Sequence, residues 1–230
     1  MRLGVIKVTV GYIPAGPTIA AARRDGLSVC EYVERLWRQE GQTQKVIDQM
    51  AACRVFGPDN PKILEIGPGT GRYLEKVLRV CRPARYEVYE TDRDWAKYVR
   101  TTYPVVAHTA DGWSLSQTPS DSVDIVHSHG VFTLLPFFVA YRYWTEMWRV
   151  VRPSGTVVFD IVSETCLDEA TVGKWLATDW TYICFLSRDY VVSLFRAHGF
   201  SLMSSFKNRL GEGQSEYLVF VRNKPAQGAT

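Results

Sequence analysis

No C-x-x-C pair occurs in this 230-residue chain, and its five cysteines, Cys30, Cys53, Cys81, Cys166 and Cys184, are widely spaced. That spacing and odd number argue against a disulfide framework or a zinc ribbon, so reduced thiols in a cytoplasmic protein are expected. No apolar run reaches membrane-spanning length, and the opening "MRLGVIKVTVGYIPAG" has no signal-peptide core; no membrane partner is expected. The net charge is only +3, with lysine and arginine scattered along amphipathic segments, so nucleic acid is not an expected partner either. Internal repeats are absent, and low complexity is confined to the short tail "NKPAQGAT". What remains, 46% hydrophobic and 22% charged, is ordinary for one globular domain able to bury a full core.

The chain divides into a preface (1–60), a main domain (61–222) and a tail (223–230). In the preface "GYIPAGPTI" reads as a Gly/Pro loop without regular structure. "SVCEYVERLW" opens with a capping box, Ser28 and Glu31, and places Val29, Val33, Leu36 and Trp37 on one helical face. "TQKVIDQMAACRVF" does the same with Val46, Ile47, Met50 and Ala51 and stops at Gly57-Pro58. These helices are expected to cap the domain and roof its site. From Pro61 strands and helices alternate: "KILEIG", "YEVYE", "PVVAH", "VDIVHS" and "TVVFDIV" are strands separated by amphipathic stretches. The end, "FSLMSSFKNRLGEGQSEYLVFV", reads as a hairpin. The pattern predicts an α/β, Rossmann-like, doubly wound seven-stranded sheet, mostly parallel, with an antiparallel last strand.

In such a sheet ligands bind beyond the carboxyl ends of the strands. "LEIGPGTGRYLEKVL" supplies the first strand-to-helix turn, with Gly67, Gly69 and Gly71. Gly67 permits the tight turn, Gly69 lets backbone N–H groups approach a ligand, and Gly71 lets helix and strand pack closely. A dinucleotide fingerprint would space the glycines G-x-G-x-x-G around a pyrophosphate. Here the spacing is G-x-G-x-G, and Glu65, two residues before the first glycine, would repel phosphate but orient an amino-bearing ligand. Glu90 ends the second strand 19 residues past Gly71, where a carboxylate can accept from both hydroxyls of a ribose. In "ADGW", Asp111 can receive an adenine amino group while Trp113 packs on the ring. Taken singly, Glu90 and Asp111 read as surface carboxylates or helix caps; their order and spacing together with Glu65 favour a nucleoside site.

Over residues 61–222 the chain resembles the class I S-adenosylmethionine-dependent methyltransferases, through "LEIGPGTG", "YEVYETD", "TADGWSL", "VDIVHSHGVF" and "MWRVVRPSGTVVFD". The resemblance implies S-adenosyl-L-methionine as cofactor. It sets Glu65, Gly67, Pro68, Gly69 and Gly71 by the amino-acid part, Glu90 and Thr91 by the ribose, and Asp111, Gly112 and Trp113 by adenine. Ser128, at the end of the fourth strand, completes the implied cofactor set. "HSHGVF" with "LLP" and "WTEMWRVVRPSG" resembles a bacterial group that O-methylates sugars. Lipid-modifying relatives carry a Glu and a Glu-His pair where this chain has Gly130 and Thr133-Leu134, and the Asn-Pro-Pro-aromatic sequence of nucleic-acid base methylation is absent.

An alcohol oxygen is a poor nucleophile until it loses its proton, so O-methylation asks for a base near the methyl. Histidine suits neutral pH. His129, at the carboxyl end of the fourth strand, is the expected base, and His127 is a structural neighbour or substrate contact. His198 sits at a helix C-terminus, which favours an imidazolium, and His108 lies at the periphery. Asp160 and Glu164, at the end of the fifth strand, are expected substrate contacts, as is Tyr12 from the opening loop. Two carboxylates at that spacing make no metal signature, and no metal is assigned. Trp175, Trp180 and Tyr182 could floor a sugar-sized pocket, Trp175 reading as core with Val172 and Leu176. The expected activity is methyl transfer to a hydroxyl of a saccharide acceptor, possible as a homodimer. A polyketide, quinone or lipid acceptor, or a non-catalytic nucleotide-binding module, are the alternatives.

Overall fold

The computed structural model describes residues 13–178 and 182–224. Tyr12 and Trp180 lie outside the described residues. Seven strands form one sheet in the order β3-β2-β1-β4-β5-β7-β6. These are β1 (Lys62–Ile66), β2 (Arg85–Glu90), β3 (Val106–Thr109), β4 (Val123–Ser128), β5 (Val151–Ile161), β6 (Phe200–Leu210) and β7 (Gly213–Arg222). β1 to β5 pair in parallel, and β7 runs antiparallel between β5 and β6.

Alternation along the strands decides which helices cover which face. Leu64, Ile66, Val126, Val157, Phe159, Leu218 and Phe220 pack under α6 (Phe137–Val150) and α8 (Arg188–Ala197), against Trp144, Met147 and Phe195. Ile63, Tyr86, Val88, Ile125, Val158, Tyr217 and Val219 face the other way, under α3 (Gln42–Ala52), α4 (Arg72–Val80) and α5 (Arg93–Thr102). Burying each large apolar side chain is worth about 2 kcal/mol, so a one-residue slip in any strand would be costly on both faces.

The preface holds one helix more than expected. α1 (Ala15–Arg24) runs through what reads as a Gly/Pro loop. Pro14 caps it and Pro17 falls in the first turn, where an amide N–H has no intrahelical acceptor, so neither proline breaks it. The Thr18 hydroxyl donates to Pro14 O at 2.8 Å. In α2 (Val29–Leu36) the capping box forms, but the buried face is Val29, Cys30, Val33 and Glu34, and Leu36 is exposed. α3 ends at Ala52, before Gly57-Pro58, and leaves Ala51 exposed. α1 and α2 pack on Trp95 of α5, whose indole donates to Ile13 O at 2.9 Å. Lys76 of α4 meets Glu34 of α2 at 2.5 Å with both side chains buried, fastening the preface to the sheet.

"RPSG" does not separate helix from strand: β5 starts at Val151 and bulges through that stretch before resuming its pairing at Thr156. α7 (Glu169–Ala177) buries Trp175, while Val172 and Leu176 are exposed. His198 caps α8 and stacks on Trp148 at 3.6 Å, with Gly199 left-handed just after it. His108 is held by Glu87 at 2.7 Å. Among the described residues no helix is long and apolar enough to cross a membrane.

Candidate functional site

A cavity of about 850 Å³ opens at the carboxyl ends of the central strands. Its floor is the turn between β1 and α4. Gly67, Gly69 and Gly71 all have left-handed backbones, at φ +67°, +50° and +79°, where other residues are strained. Their neighbours differ. A Cβ on Gly67 would meet Val131 Cγ2 at 2.5 Å, and one on Gly71 would meet the Tyr103 ring at 2.7 Å, so the crowding at Gly71 comes from the end of α5 and not from β1. A Cβ on Gly69 would meet nothing within 4 Å, because Gly69 faces the cavity.

Glu90 closes the turn. One carboxylate oxygen accepts from Gly69 N at 2.8 Å and the other from Asp92 N at 2.9 Å. Burial raises its pKa above the ordinary carboxylate value, against those backbone hydrogen bonds. A carboxylate has about four lone-pair sites, so capacity remains to accept from a ligand beside these backbone donors. Pro68, Thr70, Thr91 and Asp92 line the same end, beneath Trp37, Arg38 and Gln39 of the preface and Trp95.

The opposite wall is polar. Tyr73, His129, Asp160, Asn208, Ser215 and Tyr217 line it. Strand register explains the grouping: Glu65 lies opposite His127 across the parallel pair β1 and β4, and Asp160 opposite Tyr217 across the antiparallel pair β5 and β7, all on one face of the sheet. Asp160 accepts from Gly130 N at 2.7 Å, and burial pushes its pKa up to about 6. His129 stacks on Tyr73 at 3.7 Å, and its Nδ1 is 3.3 Å from the Tyr217 hydroxyl. Its Nε2 is 2.9 Å from Nδ1 of His127, whose Nε2 is 2.8 Å from the Tyr86 hydroxyl. Tyr86 donates to Glu65 at 2.7 Å. Burial lowers His127 to about 3 and His129 well below the imidazole range, so both rings are neutral at pH 7. Burial pushes Glu65 up to about 8, the charge of Glu90 adding to it. Donor atoms of Glu65, His127 and His129 lie within 4.8 Å of one another, but the Tyr86 hydroxyl stands between Glu65 and His127 and bonds both.

Several expected site residues sit elsewhere. Glu65 and His127 are buried behind the cavity wall and reach it only through other side chains. Ser128 is buried on the opposite face, its hydroxyl donating to Ile66 O at 3.0 Å. Glu164 is not on the cavity lining and accepts from Arg188 N at 3.0 Å at the start of α8. Asp111 is taken up by its own turn, accepting from Trp113 N and Ser114 N at 2.9 and 2.7 Å, and Arg142 lies 5.4 Å over the Trp113 ring. Gly112 does come against Thr91, 3.8 Å from a Cβ there, so this turn borders the cavity without lining it. Tyr73, Asn208 and Tyr217, by contrast, were not singled out by the sequence. Asn208 is buried on the wall, and its Oδ1 has no hydrogen-bond partner among the described residues.

The strand order with one antiparallel strand inserted beside β5, and a glycine turn closed by an acidic residue from β2, define a Rossmann-like methyltransferase fold. Residues 64–159 match the family model described as a methyltransferase domain. A malonyl-[acyl-carrier protein] O-methyltransferase of Methylococcus capsulatus is 26% identical over 188 residues, which span 78% of this chain and 66% of that protein, just under two thirds of its length. Magnesium protoporphyrin IX methyltransferase from Synechocystis PCC 6803, solved with bound SAH, superposes with a TM-score of 0.63 at 15% identity, covering 80% of this chain and 85% of that one. The [4+2]-cyclase SpnF superposes with a TM-score of 0.59 at 15% identity, covering 79% and 82%. Residues 64–159 thus resemble methyltransferase domains, and the Synechocystis enzyme of the same fold was solved with SAH and with SAM bound. The cavity suits that group: Gly69 leaves room over the turn for a close-lying ligand, and the Glu90 carboxylate beside it offers an acceptor for hydroxyls.

Proposed function

We propose that this protein transfers the methyl group of S-adenosylmethionine to a hydroxyl oxygen of a small, hydroxyl-rich acceptor such as a saccharide. The polar wall facing the glycine turn carries this reading. Tyr73, His129, Asp160, Asn208, Ser215 and Tyr217 offer both donors and acceptors, which suits an acceptor bearing several hydroxyls. When bound, the cofactor supplies an electrophilic methyl on a sulfonium. Glu90 and the Gly67–Gly69 backbone would hold it, with Thr91 beside the ribose and the Asp111–Trp113 turn at the adenine edge. Trp37, Arg38 and Trp95 shield the cavity from water above. Of the two expected bases, His129 alone reaches the wall; with both nitrogens already hydrogen-bonded, it takes up a proton by passing one on. Five free cysteines suit a reducing, cytoplasmic setting.

A second reading, transfer to the carboxylate of an acyl group, is supported by the name of the Methylococcus relative and by Arg38, Arg72 and Arg209 on the cavity lining. A transfer assay with labelled cofactor against saccharides, acyl carboxylates, phenols and lipids separates the readings. Methylated saccharides are the expected product. Labelled acyl esters alone would replace the first reading with the second, and tight cofactor binding with no transfer would leave a binding module.

A further inference from the structure

Six side chains stand in one hydrogen-bonded file from beneath the glycine turn to the cavity. The separations are 2.7 Å for Glu65–Tyr86, 2.8 Å for Tyr86–His127, 2.9 Å for His127–His129, 3.3 Å for His129–Tyr217 and 3.5 Å for Tyr217–Tyr73. Glu65, Tyr86 and His127 are buried behind the wall, whereas His129, Tyr217 and Tyr73 line it. Every internal member both donates and accepts, so the file can be filled with protons in two ways.

With Glu65 ionised, Tyr86 donates to it, and His127 donates from Nε2 to Tyr86. His129 donates from Nε2 to His127 Nδ1, and the Tyr217 hydroxyl donates to His129 Nδ1. With Glu65 protonated every bond reverses, and both imidazoles carry the proton on Nδ1. Neither filling requires an imidazolium, which burial makes costly here. A file with neutral members and two equivalent fillings moves a proton from one end to the other without separating charge.

We propose that this file is a proton wire that carries the acceptor's hydroxyl proton out of the cavity to Glu65 during methyl transfer. This rests on the hydroxyl-acceptor reading above. In the step the acceptor oxygen forms a bond to the methyl carbon as the carbon–sulfur bond breaks, its electron pair staying on sulfur. Starting from the filling with Glu65 ionised, which prevails above about pH 8, the hydroxyl proton passes to Tyr73, each member hands its own proton one place inward, and the Glu65 carboxylate ends as the neutral acid. After product leaves, the reverse shift returns the proton to solvent through the cavity. Tyr73, Tyr217 and His129 meet the acceptor, while Tyr86, His127 and Glu65 act through them as positioning residues.

Other titratable groups face the file: Glu90 stands near Glu65, and Arg72 and Asp160 flank the His129 end. The test therefore reads the histidines directly, by nitrogen-15 resonances of histidine-labelled full-length protein across pH 6 to 9. As Glu65 ionises near pH 8, His127 and His129 should change together from Nδ1–H to Nε2–H, both staying neutral. Glu65→Gln should abolish the change, and Tyr86→Phe should uncouple both rings from Glu65; thermal melting checks that each variant is folded. Independent titration of the two rings, formation of an imidazolium, or resonances that move on adding zinc chloride would overturn the wire. On a hydroxyl acceptor found by the panel, Tyr86→Phe should lower kcat about 100-fold, with cofactor Kd and acceptor KM unchanged. Unchanged kcat would overturn the assigned role. If the panel yields only carboxylate acceptors, the hydroxyl reading fails along with that role, and the resonances still decide whether the wire exists.

Discussion

Lys76 Nζ lies 2.5 Å from Glu34 Oε1 in a pair that joins α4, which follows the glycine turn, to α2 in the preface. Both side chains are about nine-tenths removed from solvent. Burial alone would raise the Glu34 pKa, but the hydrogen bonds from Lys76 and its neighbours win, and the carboxylate stays ionised. Lys76→Met should leave that charge uncompensated and cost about 3 kcal/mol. Combining it with Glu34→Leu should recover most of the loss, since an apolar pair of similar volume avoids the desolvation. Urea denaturation of the two single variants and the double checks this. If the losses simply add, the pair is not coupled.

The three glycines should separate by effect. Gly69→Ala meets open space but a left-handed backbone, so its stability cost should stay near about 1 kcal/mol while its methyl group enters the cavity. S-adenosylmethionine affinity should fall at least about tenfold, some 1.4 kcal/mol. Gly67→Ala should destabilise the fold more, because its Cβ meets Val131 at 2.5 Å. Calorimetry and thermal melting read the two effects separately, and equal effects of both substitutions on melting would contradict the assignment.

Stability should peak near pH 6.5 and fall toward pH 8. His127 and His129 are lowered on folding, so the unfolded chain binds their protons more tightly and stability rises as pH climbs to their unfolded value of about 6.5. Asp160 is raised to about 6 and opposes that rise over the acid part of the range. Glu65, raised to about 8, binds its proton more tightly when folded, so stability is lost as pH rises between the unfolded and folded values. Above pH 6.5 Glu65 is the group still being forced to ionise. Glu65→Gln should flatten the limb from pH 6.5 to 8, and a limb of unchanged slope in denaturation curves would remove Glu65 as its source.

Asn208 Oδ1 is buried on the cavity wall without a partner, a debt of about 1–3 kcal/mol that a donor on the acceptor would settle. Asn208→Ala should therefore cost little stability in the free protein. It should raise the acceptor KM about tenfold or more and leave cofactor affinity alone. An unchanged KM on an acceptor from the transfer panel would place the acceptor elsewhere.

Much of the sheet was legible because its strands are short apolar runs bounded by turn signals. The glycine turn and Glu90 meet as their spacing along β1, α4 and β2 implies, because that relationship is local. Side chains that depend on distant pairing were not legible. Tyr217 reaches the wall because β7 inserts beside β5, and Tyr73 because the α4 face turns toward β4; neither follows from neighbours in sequence. One parity signal was available: Ile63-Glu65, Ile125-His127 and Val158-Asp160 each step two residues to a polar group at a strand's carboxyl end. Three expected site residues lie off the cavity lining. Asp111 and Glu164 satisfy backbone N–H groups in a turn and at a helix start, the ordinary work of such carboxylates, and Ser128 sits one residue off the face that meets the cavity. The helix through the Gly/Pro stretch is hidden by its prolines, which suggest a loop although the first turn of a helix tolerates them.

The insertion of β7 between β5 and β6 also constrains synthesis. A nascent chain that has delivered β5 but not residues 213–222 exposes one edge of the central sheet and has no Tyr217 to complete the cavity wall. The β6–β7 hairpin forms locally and adds to the β5 edge as a unit, a pairing with high sequence separation and therefore slow. Until it does, the ribosome-borne intermediate offers an open apolar edge to chaperones or to its own copies, and no competent pocket.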